Sequence, residues 1–204
     1  MKIYFIRHGQ TEYNVAKRIQ GYSVDSPLTE QGIQSAKQVG CHLSDISFQS
    51  VYASPQKRAV DTCRYILDQN HHLVPEIQTD ERLREMNFGC YDGQAIESFR
   101  QDGYYDVFTR CPNGFSALQT GGEDYMTLTK RGTSFLTDII QQSDEKDTIL
   151  VVAHSLMLTV LLQYLAGRRI SDCRRQGILD NTSISCLNWQ DNFYHMECYN
   201  FISK

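Results

Sequence analysis

The chain has 204 residues, a length that predicts one large domain rather than two of equal size. Its composition, with 41% hydrophobic and 22% charged residues, 13 glycines and 4 prolines, is typical of a globular protein with a packed core and excludes collagen-like and broadly disordered proteins. The 20 lysines and arginines against 24 aspartates and glutamates give a net charge of −4, so no overall basic field exists to hold nucleic acid or an anionic membrane.

The first part of the chain alternates predicted strands with predicted helices. Residues 2–6 (KIYFI) and 50–53 (SVYA) are short runs rich in β-branched and aromatic residues, which is typical of buried strands. Thr29 can cap a helix whose apolar residues keep helical spacing. Ser54 followed by Pro55 predicts a second helix start, because serine caps free amides and proline suits the first turn.

The segment 86–120 interrupts this alternation. It carries glycine, asparagine, aromatic residues and weak periodicity, and we interpret it as a small inserted cap around one short helix near 96–100. Beyond it, apolar residues at helical spacing predict a long helix from Glu123. The continuous apolar run 148–153 (TILVVA) predicts a buried strand, and a further helix follows from Leu156.

Two apolar runs close the chain, 184–189 (ISCLNW) and 193–199 (FYHMECY), and the polar residues between them predict a terminal hairpin. Strands that alternate with helices indicate an α/β fold. We therefore expect a mostly parallel central sheet flanked by helices, with an antiparallel edge hairpin and the small inserted cap. No repeat, low-complexity tract or linker divides residues 1–204, so a single domain is expected.

The seven cysteines are an odd number without a CxxC pair, which argues against a zinc cluster and a disulfide framework and favours a reducing, cytoplasmic location. The N-terminal residues lack the apolar run of a secretory signal. The most apolar stretch, 149–166, is interrupted by polar residues and falls short of the roughly 18 apolar residues of a membrane span. Neither secretion nor membrane insertion is expected.

Two histidines, His8 and His154, each follow an apolar strand directly, at the end where open α/β sheets place their ligand crevice. We expect them to lie close together despite their distance in sequence. Arg7 beside the first histidine, and Ser155 at a helix N-terminus beside the second, are suited to an anion. The alternative is that each histidine is a structural residue with satisfied hydrogen bonds.

Arg58 and Glu85 are two further candidates. Arg58 lies one turn into the helix predicted after Pro55, so its side chain can reach back toward the same edge of the sheet. Glu85 falls in a turn-like stretch before Gly89. The alternatives are a solvated helix arginine and a surface carboxylate paired with a neighbouring arginine, both of which are common.

Seven sequence blocks, in order along most of the chain, together resemble one known family. They are RHGQTEYN (7–14), QG (20–21), PLTEQG (27–32), ASPQKRAVDT (53–62), LREMNFG (83–89), GGE (121–123) and VVAHS (151–155). The resemblance is to the histidine phosphatase superfamily, the phosphoglycerate-mutase-like group. RHG alone would be a weak motif, whereas the ordered set is specific.

The resemblance implies a reaction and its catalytic residues. His8 matches the nucleophile that attacks phosphorus and forms a phosphohistidine. Arg7, Arg58 and His154 match the groups that neutralise the phosphoryl oxygens. Glu85 matches the proton donor to the leaving alkoxide, which then acts as the base toward water. The resemblance implies no metal and no other cofactor.

Five residues are expected to bind the substrate. Asn14 matches the amide that contacts phosphate in the family, and Ser155 follows from its place at the helix N-terminus. Gln20, Gly21 and Tyr22 match blocks on the substrate side. The run after Gly21 is one residue longer than the family's usual arrangement, so the position of Tyr22 is left open.

Within the family the reaction forks between phosphatase and mutase. A mutase must hold a bisphosphate and so needs a second basic cluster facing the first. The segment 86–120 offers only Arg100 and Arg110, without the basic insertion of the mutases, and NTSIS (181–185) resembles the phosphatase branch. We therefore expect a metal-independent phosphomonoesterase, a histidine acid-type phosphatase that acts on small soluble phosphate esters.

Two alternatives remain open: a cofactor-dependent phosphoglycerate mutase, and a non-catalytic phosphate-binding module, which would be expected if a catalytic position were substituted. Neither GxSxG nor GxxxxGK[ST] occurs, so α/β hydrolases and P-loop kinases are excluded. The expected partner is a small phosphate ester, with no nucleic acid and no membrane; an oligomer is neither indicated nor excluded. Aromatic residues in the cap, such as Tyr105 and Phe108, fit either a substrate pocket or, by preference, the core.

Overall fold

One mixed sheet forms the centre of the protein in a computed structural model, which describes residues 1–203 and, of Gln119, the backbone alone. Its strands are β1 (Lys2–Arg7), β2 (Ser50–Ala53), β3 (Ile77–Thr79), β4 (Thr148–Ala153), β5 (Ile184–Gln190) and β6 (Phe193–Phe201). Their order across the sheet is β3-β2-β4-β1-β5-β6, and β3, β2, β4 and β1 run parallel. Because β5 and β6 pair antiparallel at one edge, the predicted fold class is confirmed.

Helices flank this sheet and contribute the cap segment. They are α1 (Glu12–Val15), α2 (Glu30–His42), α3 (Lys57–Leu67), α4 (Ile96–Gln101), α5 (Tyr104–Arg110), α6 (Tyr125–Gln142) and α7 (Ser155–Leu165). Short 3₁₀ turns lie at Glu81–Leu83, Gly89–Tyr91, Pro112–Gly114, Ala117–Gln119 and Ile170–Asp172. No helix in the described part of the chain is both long and apolar enough to cross a membrane.

The strand β4 shows how the sheet divides the core in two. Ile149, Val151 and Ala153 belong to the hydrophobic cluster that includes residues of α6 and α7. Leu150 and Val152 belong to the cluster on the opposite face, with residues of α2 and α3. Both faces of β4 are therefore buried, which explains why its sequence is continuously apolar rather than alternating.

The starts of α2 and α3 confirm one predicted cap and correct another. Thr29 accepts a hydrogen bond from the Gly32 amide at 3.0 Å and starts α2, as its sequence predicts. Ser54, in contrast, does not cap α3, which starts later, with Gln56 as the residue before its first turn. The prediction for Ser54 as the cap is wrong because Gln56 keeps an extended backbone (φ −69°, ψ 132°), so Ser54 accepts from the Gln56 amide at 3.4 Å before the helix begins.

A close backbone contact anchors α2 against the loop after β1. A Cβ at Gly9 would lie 2.7 Å from the carbonyl oxygen of Gly32, and one at Gly32 would lie 2.2 Å from the carbonyl oxygen of Gln10. Only glycine fits at such distances. The loop that begins at His8 is therefore held against a helix rather than left free.

The terminal hairpin turns more tightly than its sequence predicts. Asp191 and Asn192 have φ values of 53° and 64°, the left-handed conformation of a two-residue hairpin turn. Gln190 lies in β5 rather than in the turn. Aspartate and asparagine tolerate this conformation better than other non-glycine residues, which explains their use here.

The segment that we interpret as a cap is built around aromatic rings. The helix predicted near 96–100 is α4, and α5 follows it without having been predicted. Phe108 on α5 lies 5.3 Å from Phe99, 5.1 Å from Phe115 and 5.3 Å from Tyr125, measured between ring centres. These edge-to-face and tilted contacts pack the segment into the same hydrophobic cluster as α6.

Candidate active site

The parallel register of β1 and β4 brings the two strand-end histidines together. Arg7 is opposite Ala153, so His8 and His154 leave the sheet side by side. Their ring centres are 5.2 Å apart and the rings are inclined at 58°. Residues 146 positions apart in sequence are thus neighbours because adjacent parallel strands end at the same edge.

The His8 ring is held in a form suited to nucleophilic attack. Its Nδ1 atom lies 2.8 Å from the carbonyl oxygen of Gly9, which can only accept a hydrogen bond, so Nδ1 carries the proton. Burial, and then the positive charges of Arg58 and Arg7, lower the pKa of His8 well below its ordinary value. The imidazole is therefore neutral, with its lone pair on Nε2.

Buried polar nitrogens around His8 lack hydrogen-bond partners in the described part of the chain. Both ring nitrogens of His154, Nε of Arg7 and Nε of Arg58 are buried without a hydrogen bond. Burial is the main cause that lowers the pKa of His154, and it lowers the pKa of Arg7 to about 10. Unpaired buried polar groups are costly, so this cluster is suited to an anion that would accept from them.

Arg58 binds a loop as well as facing the histidines. Its side chain is fully buried, and one terminal nitrogen donates to the Val24 carbonyl and to the Asp25 carboxylate, each at 3.0 Å. The other terminal nitrogen donates to the Gln20 carbonyl at 3.2 Å. The ion pair with Asp25 partly compensates the buried charge and fixes the loop that carries Gln20.

Glu85 is fixed by backbone amides at the start of α7. One carboxylate oxygen accepts from the amides of Met86 and Met157 at 2.9 Å, and the other accepts from the amide of Leu156 at 3.0 Å. The N-terminus of a helix also favours a negative charge. The carboxylate is thereby oriented from three directions, although it lies about 70 residues from α7 in the chain.

A cavity of about 190 Å³ connects these groups to solvent. Six of the predicted residues line it, namely Arg7, His8, Asn14, Gln20, Glu85 and Ser155. Arg58 and His154 are buried beside His8 and are not part of the cavity wall. Much of the remaining wall is apolar and includes Tyr105 and Phe108, so these cap aromatics serve the pocket and the core together.

Two residues expected on the substrate side lie elsewhere. The Gly21 carbonyl accepts from Gln56 at 2.8 Å, and a Cβ at Gly21 would lie 2.6 Å from the carbonyl oxygen of Met86, so this glycine permits close loop packing. The Tyr22 ring lies under the Arg84 guanidinium, 4.8 Å from ring centre to carbon. Neither Gly21 nor Tyr22 is part of the cavity wall.

The amide of Asn14 is directed by hydrogen bonds to its oxygen. That oxygen accepts from the Thr11 amide at 3.1 Å and from the Asn181 side chain at 3.3 Å. The group that Asn14 can offer the cavity is therefore its NH₂ donor. Asn181 also donates to the His8 carbonyl at 3.0 Å, and only the NTSIS block marked it in the sequence.

Gln56 is a positioning residue that the sequence analysis missed. Its side-chain amide donates to the carbonyls of Gly21 at 2.8 Å and Val24 at 3.2 Å, while its oxygen accepts from the Glu85 amide at 3.1 Å. One buried side chain thus connects the loop bound by Arg58 with the segment of Glu85. No local pattern reveals such a role, because all its partners are distant in sequence.

Arg131 on α6 holds the same segment from the other side. It donates to the carbonyls of Arg82 at 2.5 Å, Arg84 at 2.6 Å and Glu85 at 3.1 Å. It also forms an ion pair with Glu123 at 2.7 Å, and both side chains are largely buried. The GGE block drew attention to Glu123, but the sequence showed neither its partner nor the use of the pair.

Comparison with known proteins agrees with this geometry. The sequence profile of the histidine phosphatase superfamily (branch 1) matches residues 3–202. The chain belongs to this superfamily. Among its relatives, the "Adenosylcobalamin/alpha-ribazole phosphatase" of Salmonella typhimurium is 31% identical over 81% of this chain and 79% of that protein.

Other members of the histidine phosphatase superfamily match more of the chain. The "Probable phosphoglycerate mutase GpmB" of Enterobacter sp. (strain 638) is 31% identical over 94% of this chain and 86% of that protein. The structure of Bacillus stearothermophilus YhfR is 27% identical, with a TM-score of 0.91 over 99% of this chain and 98% of that one. Relatives within the superfamily thus include proteins named as phosphatases and as mutases.

This superfamily member has one further cation in its cavity wall, Arg174, which no sequence pattern indicated. The two cap arginines considered for a second basic cluster lie outside the wall. Arg100 is half-exposed and pairs with Glu97, and Arg110 is exposed and pairs with Asp106. The described part of the cavity therefore holds no second cluster of arginines facing the first.

Proposed function

We propose that this member of the histidine phosphatase superfamily is a phosphomonoesterase, and that it hydrolyses small soluble phosphate esters through a phosphohistidine at His8. The observation that supports this most is the set of unpartnered buried donors on Arg7, Arg58 and His154 beside a neutral histidine nucleophile. A phosphoryl group carries three oxygens that such donors can hold. The partner is a small phosphate ester.

In the first step, Nε2 of His8 attacks phosphorus and the bond to the ester oxygen breaks. Arg7 in the cavity wall holds the other phosphoryl oxygens together with two groups beside His8, the unpartnered Nε of Arg58 and the His154 ring, and the two guanidinium groups offset the charge, as phosphoryl transfer requires. The leaving alkoxide takes a proton from Glu85, which lines the same cavity. The products are the free alcohol and a phosphohistidine.

In the second step, water attacks the phosphohistidine and the bond between phosphorus and Nε2 breaks. The Glu85 carboxylate takes the proton of that water, and inorganic phosphate leaves. The three amides that orient the carboxylate support this role, because they hold it without relying on a mobile side chain. Neither step uses a metal ion.

Hydrolysis is proposed ahead of mutase activity because of the charges in the cavity wall. A mutase must retain a bisphosphate, whose second phosphoryl group needs its own basic cluster. Beyond the groups around His8, the described wall offers Arg174, with apolar residues around it. A single guanidinium among apolar side chains is suited to a monoester rather than a bisphosphate.

Hydrolysis of 4-nitrophenyl phosphate and of an alkyl phosphate tests this proposal. We expect both activities to persist with a chelator and to be lost in His8→Ala, and an alkaline quench followed by mass spectrometry should show a phosphoryl group on His8. Glu85→Gln should lower kcat by roughly 10²–10⁴ for the alkyl ester, and less for the nitrophenyl ester, whose leaving group needs no proton.

The matched control is His195→Ala, since this histidine is exposed on β6, away from the cavity. Activity that survives in His8→Ala would refute the phosphohistidine route. Interconversion of phosphoglycerates faster than hydrolysis would identify a mutase instead. Tight binding of orthophosphate without turnover of any ester would identify a binding module.

A further inference from the structure

Within the described part of the cavity wall, Arg174 is the one cation that the proposed reaction does not use. It follows α7 in the chain and is half-buried. One terminal nitrogen donates to the Tyr125 hydroxyl at 3.2 Å, and the guanidinium carbon lies 4.9 Å from the centre of the Phe108 ring. Tyr125 in turn donates to the Phe108 carbonyl at 2.7 Å, so the guanidinium is held in place by a buried support.

The charge of Arg174 has no carboxylate partner within residues 1–203. Its neighbours in sequence do: Arg169 and Arg175 both pair with Asp172, at 3.5 Å and 2.9 Å. The carboxylate of the cavity wall, Glu85, already accepts from three backbone amides. A guanidinium that is fixed, half-buried and without an acid partner is therefore directed at the cavity contents rather than at the protein.

The surroundings of Arg174 define which substrate it suits. The wall is otherwise largely apolar, with Ile178, Phe88, Phe99 and Tyr105 among its residues, so the body of a ligand meets hydrocarbon. An anion on that body would leave water for an apolar pocket, where a guanidinium compensates it through two parallel hydrogen bonds. A single fork matches a carboxylate, whereas a second phosphate would need further cations.

We propose that Arg174 determines substrate specificity by binding a carboxylate on the non-phosphate part of the ester. Preferred substrates are then small phosphomonoesters in which a compact apolar body carries both the phosphate and a carboxylate. The inference rests on the proposed phosphomonoesterase function, which assigns the phosphate to the cluster of Arg7, His8 and Arg58. Arg174 is a specificity residue in this scheme and takes no part in bond breaking.

The test compares the three positional isomers of carboxyphenyl phosphate with the matching carbamoylphenyl phosphates, which are nearly the same shape but neutral at that position. In the wild type, at least one isomer should be preferred as the carboxylate. For that pair we divide kcat/KM of the carboxylate by kcat/KM of the carbamoyl compound. In Arg174→Met this ratio should fall ten- to a hundredfold, as loss of a charge-assisted hydrogen bond predicts. Arg174→Lys, which keeps the charge without the fork, should retain part of the ratio.

Arg175→Met is the matched control, because this arginine is the next residue, is exposed and pairs with Asp172 instead of facing the cavity. It should leave the ratio unchanged. The differing acidity of the leaving groups cancels, because each ratio is compared between proteins with the same two substrates. If no isomer shows a preference that depends on Arg174, the proposal is wrong.

Binding of the corresponding carboxybenzyl and carbamoylbenzyl phosphonates, measured by calorimetry, separates this inference from the proposed function. These compounds bind without turnover. Preference for a carboxylate that is lost in Arg174→Met supports the inference even if no ester is hydrolysed, in which case the phosphatase function fails alone. Equal affinity of the wild type for both members of every pair overturns the inference even if hydrolysis proceeds.

Discussion

His8 and His154 lie side by side in the interior and share their surroundings with two buried guanidinium groups. Burial removes the water that would solvate a protonated imidazole, and Arg58 adds repulsion, so the pKa of each histidine lies well below its ordinary value. The same desolvation lowers the pKa of Arg7 to about 10, although Glu85 opposes it. A chemically useful neutral histidine therefore results from burial beside cations.

Replacing His154 should make stability less dependent on pH. The folded protein keeps this histidine neutral, whereas the unfolded chain protonates it below about pH 6.5, so unfolding takes up a proton and the free energy of unfolding falls as the pH drops. In His154→Gln the loss of stability between about pH 7.5 and about pH 5.5 should shrink by about 1 kcal/mol. Urea unfolding at both pH values measures it.

The exposed His195 provides the comparison, as His195→Gln removes a histidine that the fold does not bury. An equal pH dependence in wild type and His154→Gln would show that burial does not control this titration. The pH dependence of stability in His195→Gln should match that of the wild type within error.

At the scale of elements, helices on different faces of the sheet hold one segment. Gln56, directly before α3, binds the amide of Glu85, and Arg131 on α6 binds its carbonyl. The start of α7 fixes the Glu85 carboxylate itself. The segment around Glu85 has little regular structure of its own, so its position depends on these three attachments.

Arg131→Lys should destabilise the protein although it keeps the charge. A lysine ammonium cannot satisfy the carbonyls of Arg82, Arg84 and Glu85 and pair with Glu123 at the same time, since it lacks the planar fork of arginine. We expect the free energy of unfolding to fall by about 1–3 kcal/mol, measured by urea unfolding.

Arg169→Lys is the control for that substitution, because Arg169 pairs with Asp172 while its side chain is 87% exposed. In Arg169→Lys the free energy of unfolding should change by no more than about 0.5 kcal/mol. A similar loss in both variants would mean that the contacts of Arg131 contribute nothing beyond those of a surface arginine.

For the whole molecule, the site lies where the direction of the sheet changes. β1 pairs with the parallel β4 on one side and with the antiparallel β5 on the other, and His8 follows its last residue. The groups around His8 come from β1, α3, the segment of Glu85 and the end of β4, so they meet only in the folded chain. An anion bound there should therefore stabilise the fold as a whole.

Orthophosphate should raise Tm more than chloride at equal ionic strength. It binds the folded cluster and not the unfolded chain, so phosphate at about 100 times its Kd should add about 2.7 kcal/mol, equivalent to a rise of roughly 5–10 °C for a chain of this size. The rise should be lost in Arg7→Gln and kept in Arg110→Gln, an exposed arginine outside the cavity. Calorimetric unfolding measures it. A rise of the same size in Arg7→Gln would contradict a phosphate site at this cluster.

Local patterns were sufficient for the elements that are strongly apolar or carry a cap. The strands β1, β2 and β4, the hairpin and the start of α2 at Thr29 follow from runs and spacings within a few residues. They failed for β3, which has one half-exposed and two exposed residues at the sheet edge, and for α1 and α5, which are short. They failed at Ser54 because Gln56 keeps an extended backbone, so α3 begins later.

The sequence by itself determined the strands other than β3, the strand-end histidines and the family motifs, because each depends on residues that are neighbours in the chain. Only the tertiary structure decided which of them face the cavity: Gly21 and Tyr22 do not, whereas Arg174 does. It also decided that Gln56 and Arg131 position Glu85. The physical reason is that burial, unpaired donors and long-range hydrogen bonds arise from packing between segments, and no local pattern encodes them.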